Sequence, residues 1–551
     1  MGSTRSFTDL PAEIWLLIAS YADVDDVLRL KTTCRTLYHL AQEKTLWISY
    51  FQRLHNARMI PDFLVYPFAS SGAPLSVELS KWPLRSIQHV VTSIVRIDRS
   101  WLNARYRSHA LISRINSDPR QLANASLLED SSPTTILSIE VFLDRWLLAV
   151  YRESLVELWD LLPSTSRDKQ EGPLLNRSSA DARCRVRARS HELFNATSCA
   201  AALESNGEAI LLAITSEPAR TTALRLPLQW DTSEPSTQKA EVLCSLVSPS
   251  PIHLLRAIHP DSKVLVYSQT QTVSFMNFDN GNRSDLDLSD VEDEFWTGVV
   301  SARFLSERQL LIFTTRSVEL YAMENTVFDA KQIHWHTSLN ATFRGVSHAE
   351  PILSYSSSGN PIVSVTFLAY ETLRGLFNHE VLIQYPPILD AATNRSIAME
   401  DVVKTAPLGM DVVQVGVHQM AQSIPIPPEG QPSTVRRPRS GFTAGSRGFV
   451  SACSIGSHGL RGVWIERQRS SVKRTVYGFN ILQVRDTSRA AIREEPHERG
   501  LCREDNVQHI EGKCLYEVNS FDLRDDLTHC AFSECTGRII LGTRNGEIHL
   551  I

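Results

Sequence analysis

Two groups of arginines are the side chains in this sequence whose type and spacing could bind an anion. The first group alternates with other residues along one predicted strand, so all its members point to one face: Arg183, Arg185, Arg187 and Arg189. A row of guanidinium groups can hold carboxylates or phosphates. We favour a structural role on the outermost strand of a sheet, where solvated charge protects an exposed edge from aggregation.

The second arginine group lies in a segment rich in proline, glycine and serine, and it consists of Arg436, Arg437, Arg439 and Arg447. This composition favours a flexible basic loop. Substrate binding by these four arginines is the functional alternative. An acidic run from Asp285 to Glu294 could bind a cation, but we interpret it as a solvated connection between strands.

No set of catalytic residues is evident. The sequence contains no GxSxG, GxxxxGK[ST] or HExxH motif, and its 17 histidines are dispersed. A triad assembled from distant segments stays open, because triads are recognised by geometry. The nine cysteines are scattered, and no pair of them completes a zinc pattern. We therefore predict no catalytic residue, no metal ligand and no cofactor.

Length and composition narrow the class of protein further. A chain of 551 residues with 42% apolar residues can bury a large core. Its net charge of −5 gives no support for nucleic-acid binding. Apolar runs stay shorter than the roughly 18 residues of a membrane span, and the polar start predicts no secretory signal. Scattered thiols indicate a reducing compartment, so we expect the protein in the cytoplasm and/or nucleus.

Residues 10 to 47 predict a compact run of short helices. Ile14, Leu17, Ile18 and Tyr21 recur at the spacing of one helical face. Pro11 suits a helix start, since its missing N–H would be unpaired there. A unit of about forty residues is near the lower limit for independent folding, so a partner that covers its apolar surface is expected.

These residues resemble the F-box family over about residues 7 to 53. Leu10-Pro11 followed by Glu13-Ile14, then the run 26–30, Cys34-Arg35, Leu37 and Leu46-Trp47 match its pattern in order and spacing. The resemblance implies binding of the Skp adaptor and, through it, of a cullin. By the same resemblance, the core and adaptor-facing surface of the motif would comprise Leu10, Pro11, Ile14, Leu17, Ile18, Val27, Leu28, Leu30, Cys34, Leu37 and Trp47.

Residues 54–109 are predicted to connect this unit to a second domain, with a helix at about 83–104. From about residue 134 the period changes to short β-rich runs separated by polar turns, clearest at 136–161 and at the end of the chain. Repeats of four strands favour a β-propeller. The last unit has only three strands, so we expect its outer strand to come from residues 106–133.

The repeats resemble WD repeats over about residues 110–551, with Trp159-Asp160 at the end of a strand. We count seven units, the less regular ones at 195–247, 342–404 and 410–518. The predicted fold is therefore mainly β, with N-terminal F-box helices and a seven-bladed WD-like propeller. Insertions are predicted near 162–181, 231–240, 421–446 and 484–512.

The resemblances imply a substrate-receptor subunit of an SCF-type, cullin-based ubiquitin ligase, without catalytic activity of its own. The F-box would bind Skp, and the propeller would bind an unknown protein substrate. Some receptors of this type bind phosphorylated substrates. Two alternatives stay open. One is an F-box scaffold that acts outside ligase complexes. The other is a propeller enzyme or ligand sensor, which a polar pocket with convergent His, Asp or Glu at the propeller axis would favour.

Overall fold

In a computed structural model, the chain forms a helical unit followed by a ring of antiparallel sheets. The structure describes residues 11–61, 64, 75–101, 113–115, 135–153, 155–161, 183–189, 194–228, 239–249, 253–269, 272–288, 298–306, 309–322, 332–338, 343–355, 361–371, 375–384, 411–422, 449–468, 471–480, 508–523 and 526–551. Leu10 and the arginines at 436, 437, 439 and 447 lie outside these residues.

The described residues of the helical unit, called the handle below, include six helices: α1 (Ala12–Tyr21), α2 (Val24–Leu30), α3 (Arg35–Leu40), α4 (Lys44–Asn56), α5 (Leu75–Lys81) and α6 (Leu84–Ser100). Their common core forms around α4 and α6. Trp47 is fully buried, and its indole N–H donates to the carbonyl oxygen of Ala41 at 2.8 Å. The Tyr50 hydroxyl donates to the carbonyl oxygens of Ala19 and Ala22, which joins α4 to the end of α1.

The helix predicted at 83–104 is present as α6. Its apolar residues at helical spacing, including Ile87, Val91 and Ile94, are buried in the handle core. Pro83 precedes the first turn, where a missing N–H costs nothing. One face of α6 therefore holds the handle together, and its C-terminal end is left to reach the second domain.

Seven antiparallel blades follow, six with four strands and one with five, which confirms the predicted mainly β fold and the blade number. Blade 1 is β2 to β5 (Ile136–Phe142, Trp146–Tyr151, Leu155–Asp160, Arg183–Arg189), blade 2 is β6 to β9 (Phe194–Leu203, Ala209–Glu217, Arg220–Pro227, Glu241–Val247), blade 3 is β10 to β13 (Leu254–His259, Val264–Gln269, Thr272–Asn277, Arg283–Asp287) and blade 4 is β14 to β17 (Val299–Ser306, Gln309–Thr314, Ser317–Ala322, Gln332–Ser338).

Blades 5 to 7 complete the ring. Blade 5 is β18 to β22 (Phe343–His348, Ile352–Tyr355, Pro361–Glu371, Gly375–Gln384, Asp411–Gln422), in which the short β19 pairs with β20, and blade 6 is β23 to β26 (Phe449–Ile455, Arg461–Arg467, Lys473–Asn480, Gln508–Asn519). Blade 7 is β27 to β29 (Leu527–Ser533, Arg538–Thr543, Ile548–Leu550) together with β1 (Ser113–Ile115). The first strands of successive blades contact one another around the ring, and β27 contacts β2.

Ring closure follows the prediction that the last blade takes its outer strand from residues 106–133. β1 pairs antiparallel with β29, where Ser113 lies opposite Leu550 and Ile115 opposite Ile548. A strand from the start of the propeller thus completes the sheet made by its end. This arrangement joins the two ends of the ring, so blade 7 has no missing strand.

The boundary between the fifth and sixth units was predicted wrongly. Residues 411–422 were assigned to the unit 410–518, but they form β22, the outer strand of blade 5. β22 also pairs in parallel with β26, so that blades 5 and 6 share one sheet. The insertion predicted at 484–512 ends earlier than expected, because β26 begins at Gln508. Most residues of the four predicted insertions lie outside the described residues.

The propeller has two distinct faces. On the lower face lie the turns between the first and second strands of the blades, such as the β27–β28 turn that contains Gly537. On the upper face lie the turns between second and third strands and the starts of the first strands. A hydrogen bond from the amide of Arg544 to the carbonyl of Asp526 joins two such upper elements in blade 7.

Candidate functional site

The handle exposes the apolar face of α1. Ile14 is 42% exposed, Leu17 55%, Ile18 46% and Tyr21 82%. Trp15, on the other side of the helix, is buried. The predicted stripe of apolar residues therefore exists, but it lies on the surface. Large exposed apolar patches mark binding sites more often than structural ones.

A small apolar cavity of about 20 Å³ lies beside this face, among α1 to α4. It is lined by residues of α1 to α4, namely Trp15, Ala19, Val27, Leu30, Leu37, Leu40, Ala41 and Leu46. Tyr38 on α3 is also exposed, and Lys31 lies over its ring at 5.4 Å. The exposed apolar residues of α1, together with Tyr38, form an apolar surface, called the handle surface below. Its chemistry suits an apolar protein surface and offers no group for catalysis.

The structure divides the residues predicted from the F-box resemblance into three sets. Val27 and Trp47 are core residues, whose removal would affect folding first. Leu28, Leu30 and Leu37 are half-buried, and the exposed set is Pro11, Ile14, Leu17, Ile18 and Cys34. Tyr21 and Tyr38 were not among the predicted site residues, although Tyr21 belongs to the same helical stripe as Ile14 and Ile18.

The handle is attached to the lower face of the propeller. The Asp98 carboxylate of α6 pairs with Arg461 at the start of β24, and the Trp101 indole N–H donates to the Phe479 carbonyl oxygen at 3.1 Å. Trp101 is buried in the core of blades 6 and 7, where its ring lies 4.7 Å from that of Phe532. These contacts fix the handle relative to the blades.

A buried glutamate supports this attachment. The Glu534 carboxylate, at the end of β27, accepts backbone N–H bonds from His458, Leu460 and Arg461 at 2.7 to 2.8 Å. It therefore clamps the β23–β24 turn of blade 6 to blade 7. Because Arg461 is the residue that pairs with Asp98, the clamp also holds the partner of α6 in place.

The prediction of a solvated arginine row on β5 is wrong for Arg185. β5 is the outer strand of blade 1, as predicted, but Arg185 is buried and lies 3.5 Å from the carboxylate of Asp160. A register shift between Leu158 and Trp159 leaves Arg185 outside the strict alternation of the ladder. Asp160 also accepts two hydrogen bonds from Arg145. Arg185 thus belongs to a buried ion cluster.

A cavity of about 300 Å³ lies among the inner strands of blades 1, 5, 6 and 7. Its lining includes His529, Tyr370, Cys453 and Cys530, but no carboxylate. Burial raises the pKa of Cys453 to about 12 and that of Cys530 well above its ordinary value. Protonated thiols are poor nucleophiles. The lining of this cavity therefore holds one histidine, His529, and no aspartate or glutamate.

Two kinds of functional feature are absent from the part of the chain that the structure describes. Among the described residues, no group of three or more His, Cys, Asp or Glu side chains is arranged to hold a metal ion. Of the helices in the same part of the chain, none has the length and apolar character needed to span a bilayer. From the acidic run, Asp285 pairs with Arg283 at 2.9 Å.

Comparison with known proteins gives one match in sequence and several in structure. Residues 7–53 match the F-box-like family model. None of the curated protein sequences compared with the chain matches it. The β-propeller domain of Cps50 (Swd1) from Myceliophteria thermophila is 10% identical with a TM-score of 0.38, over 76% of this chain and 95% of that one.

Two WD40 domains are similar to the same degree. The C-terminal WD40 domain of Sif2 is 8% identical with a TM-score of 0.39, over 76% of this chain and 95% of that domain. The WD40 β-propeller domain of Doa1 is 12% identical with a TM-score of 0.34, over 76% and 92%. The propeller assignment rests on the seven blades themselves. The chain thus carries an F-box-like domain at residues 7–53, followed by a seven-bladed β-propeller.

Proposed function

We propose that this protein is the substrate-receptor subunit of an SCF-type ubiquitin ligase in the cytoplasm and/or nucleus. The handle surface binds the Skp adaptor, which links the receptor to a cullin, and the propeller binds the substrate. The observation that carries this proposal is the exposed apolar face of α1 inside the segment that matches the F-box-like family. Burying that face in a partner removes apolar area from water, the main favourable term in protein association.

The attachment of the handle supports a role in positioning. Asp98, Trp101 and the Glu534 clamp tie α6 to blades 6 and 7, so an adaptor on the handle and a substrate on the propeller are held at a fixed separation. A receptor of this kind contributes proximity, because it raises the effective concentration of the substrate lysine near the ubiquitin donor. It supplies no reactive group of its own.

Copurification with the Skp adaptor tests the first half of the proposal. We expect the chain to coelute with Skp at micromolar concentrations, and the variant Leu17→Asp/Ile18→Asp to lose this binding, because two charges enter an apolar interface. A matched control is Val242→Asp/Val247→Asp, which changes two exposed valines on the outer strand of blade 2. Failure of the native chain to bind Skp would overturn the proposal.

The alternative of an F-box scaffold outside ligase complexes makes the same prediction for Skp. Association with a cullin in cells separates the two, since only the ligase receptor requires it. The alternative of a propeller enzyme or ligand sensor gains no support from the cavity between the inner strands, which holds protonated thiols and no carboxylate.

A further inference from the structure

The upper face of the propeller is the face opposite the handle attachment. Its turns adjoin the starts of the next inner strands, as shown by the hydrogen bond from the Ala196 amide to the Arg152 carbonyl between blades 1 and 2. In blade 6 the amide of Ser520, directly after the outer strand β26, donates to the carbonyl of Val472 in the turn between β24 and β25. Asp98 and Trp101 at the end of α6 contact the lower ends of blades 6 and 7, so this attachment lies on the face opposite the upper turns.

Two large apolar side chains stand on this upper face between blades 6 and 7. Phe521 is 82% exposed and Leu523 is 58% exposed, in the connection from β26 to β27. Val472, on the neighbouring turn of blade 6, is exposed as well. Folding gains nothing from apolar side chains left in water, and adjoining exposed apolar residues, unlike single ones, are typical of an interaction site.

Arginines from three successive blades, 6, 7 and 1, lie on the same upper face as this apolar pair. Arg544 and Arg152 lie on the turns of blades 7 and 1, both exposed, and neither guanidinium has a hydrogen bond or a carboxylate partner among the described residues. Arg467 of blade 6 is 3.9 Å from Asp526, whose charge is already paired with the buried Arg474.

The nearby acidic groups are mostly engaged in contacts of their own. Glu153 accepts the amide of Thr135, Glu517 pairs with Lys473, and Glu547 lies 3.4 Å from His549. Asp522 is exposed between the two apolar residues. The described part of this surface therefore combines exposed apolar side chains with arginines from three blades, although the whole chain has a net charge of −5. We call Arg152, Arg467, Phe521, Leu523 and Arg544 the upper arc.

We propose that the upper arc binds an extended, unphosphorylated acidic segment of a partner protein that carries a bulky apolar residue. The apolar residue packs on Phe521 and Leu523, and carboxylates pair with Arg544 and Arg152. This inference rests on the proposed function only in taking that partner to be the substrate. Charge complementarity selects such a segment and steers its approach.

The distribution of the arginines over three blades favours several carboxylates over one phosphate. Each arginine comes from a different blade, whereas a phosphate dianion is held best by several donors that converge on one group. An extended segment advances by about 3.3 Å per residue, so successive acidic side chains can reach separate arginines. Separate carboxylates therefore match this arrangement better than one concentrated charge.

Selection from a display library of random, unphosphorylated peptides on the full chain tests this inference. We expect the enriched peptides to carry several Asp or Glu residues and one aromatic or large aliphatic residue. Affinity of an enriched peptide, measured by fluorescence anisotropy, should fall at least about tenfold in Arg152→Glu/Arg544→Glu, a loss of ~1.4 kcal/mol. Phe521→Ala/Leu523→Ala should weaken binding as well, with less dependence on salt.

The charge-matched control is Lys239→Glu/Lys263→Glu, which reverses two exposed lysines at the lower end of blades 2 and 3 and should leave affinity unchanged. Enrichment of neutral or basic peptides, no enrichment, or equal binding by Arg152→Glu/Arg544→Glu would overturn the inference. So would much tighter binding when phosphoserine replaces the acidic residues of a selected peptide. Skp binding is measured on the same variants and should persist, so a failure of the proposed function is seen separately.

Discussion

The handle leaves an apolar face exposed, whereas the propeller buries its apolar faces. In the propeller, alternating apolar residues of neighbouring blades pack against one another, so that strands such as β3 and β15 are buried along their whole length. In the handle, the apolar stripe of α1 stays on the surface while Trp15 faces inward. A closed ring can cover its own apolar area, whereas a small helical unit cannot cover all of its own.

Truncation of Trp47 is expected to have the largest effect on this comparison. Trp47→Ala removes a fully buried indole and its hydrogen bond to Ala41, at a cost of about 3–5 kcal/mol in the free energy of unfolding. The handle should melt at a lower temperature while the blades keep theirs. Calorimetry with two resolved transitions checks this. A single transition that shifts as a whole would show that the handle and the propeller unfold as one unit.

A smaller effect is expected from the buried ion cluster of blade 1. Arg185→Ala removes one of the two arginines paired with Asp160, and the loss should be about 2 kcal/mol, in the range for hydrogen bonds to charged groups. Chemical denaturation of the propeller transition measures it. A change near zero in the free energy of unfolding would indicate that Arg185 is solvated, as the sequence analysis predicted.

Acid should destabilise the propeller through His348. This histidine lies on the inner strand of blade 5, bonded to the Ser301 hydroxyl at 2.7 Å, and burial together with the charge of Arg303 lowers its pKa to about 3. Its contribution is complete above the unfolded pKa of about 6.5 and falls by up to ~1.4 kcal/mol per pH unit below it. His348→Gln should flatten the pH dependence of unfolding between about pH 6.5 and 4.5, and an unchanged slope would contradict this assignment.

The smallest effect on stability is expected at the exposed face of α1. Leu17→Asp/Ile18→Asp should change the free energy of unfolding by no more than about 0.5 kcal/mol, because both side chains are already in water. Thermal unfolding checks this. A loss comparable to that of Trp47→Ala would mean that this face packs inside the protein and cannot be a docking surface.

Sequence reasoning predicted the blades and the handle because both depend on local periodicity. The closing strand β1 was also predictable, since a ring with a three-stranded final unit requires another strand. The burial of Arg185 was not, because a register shift on β5 interrupts the alternation that the prediction assumed. Nor were Arg152, Arg544, Phe521 and Leu523, because they lie in turns and connections, where no periodic pattern shows that distant segments meet on one face.

Hydrogen–deuterium exchange of the full chain, with and without the Skp adaptor, tests the central claim most directly. We expect slower exchange in α1 and α3, which carry the handle surface, and no change in the upper turns that carry Arg152 and Arg544. Exchange that stays unchanged throughout the handle, or that slows only in the propeller, would contradict it.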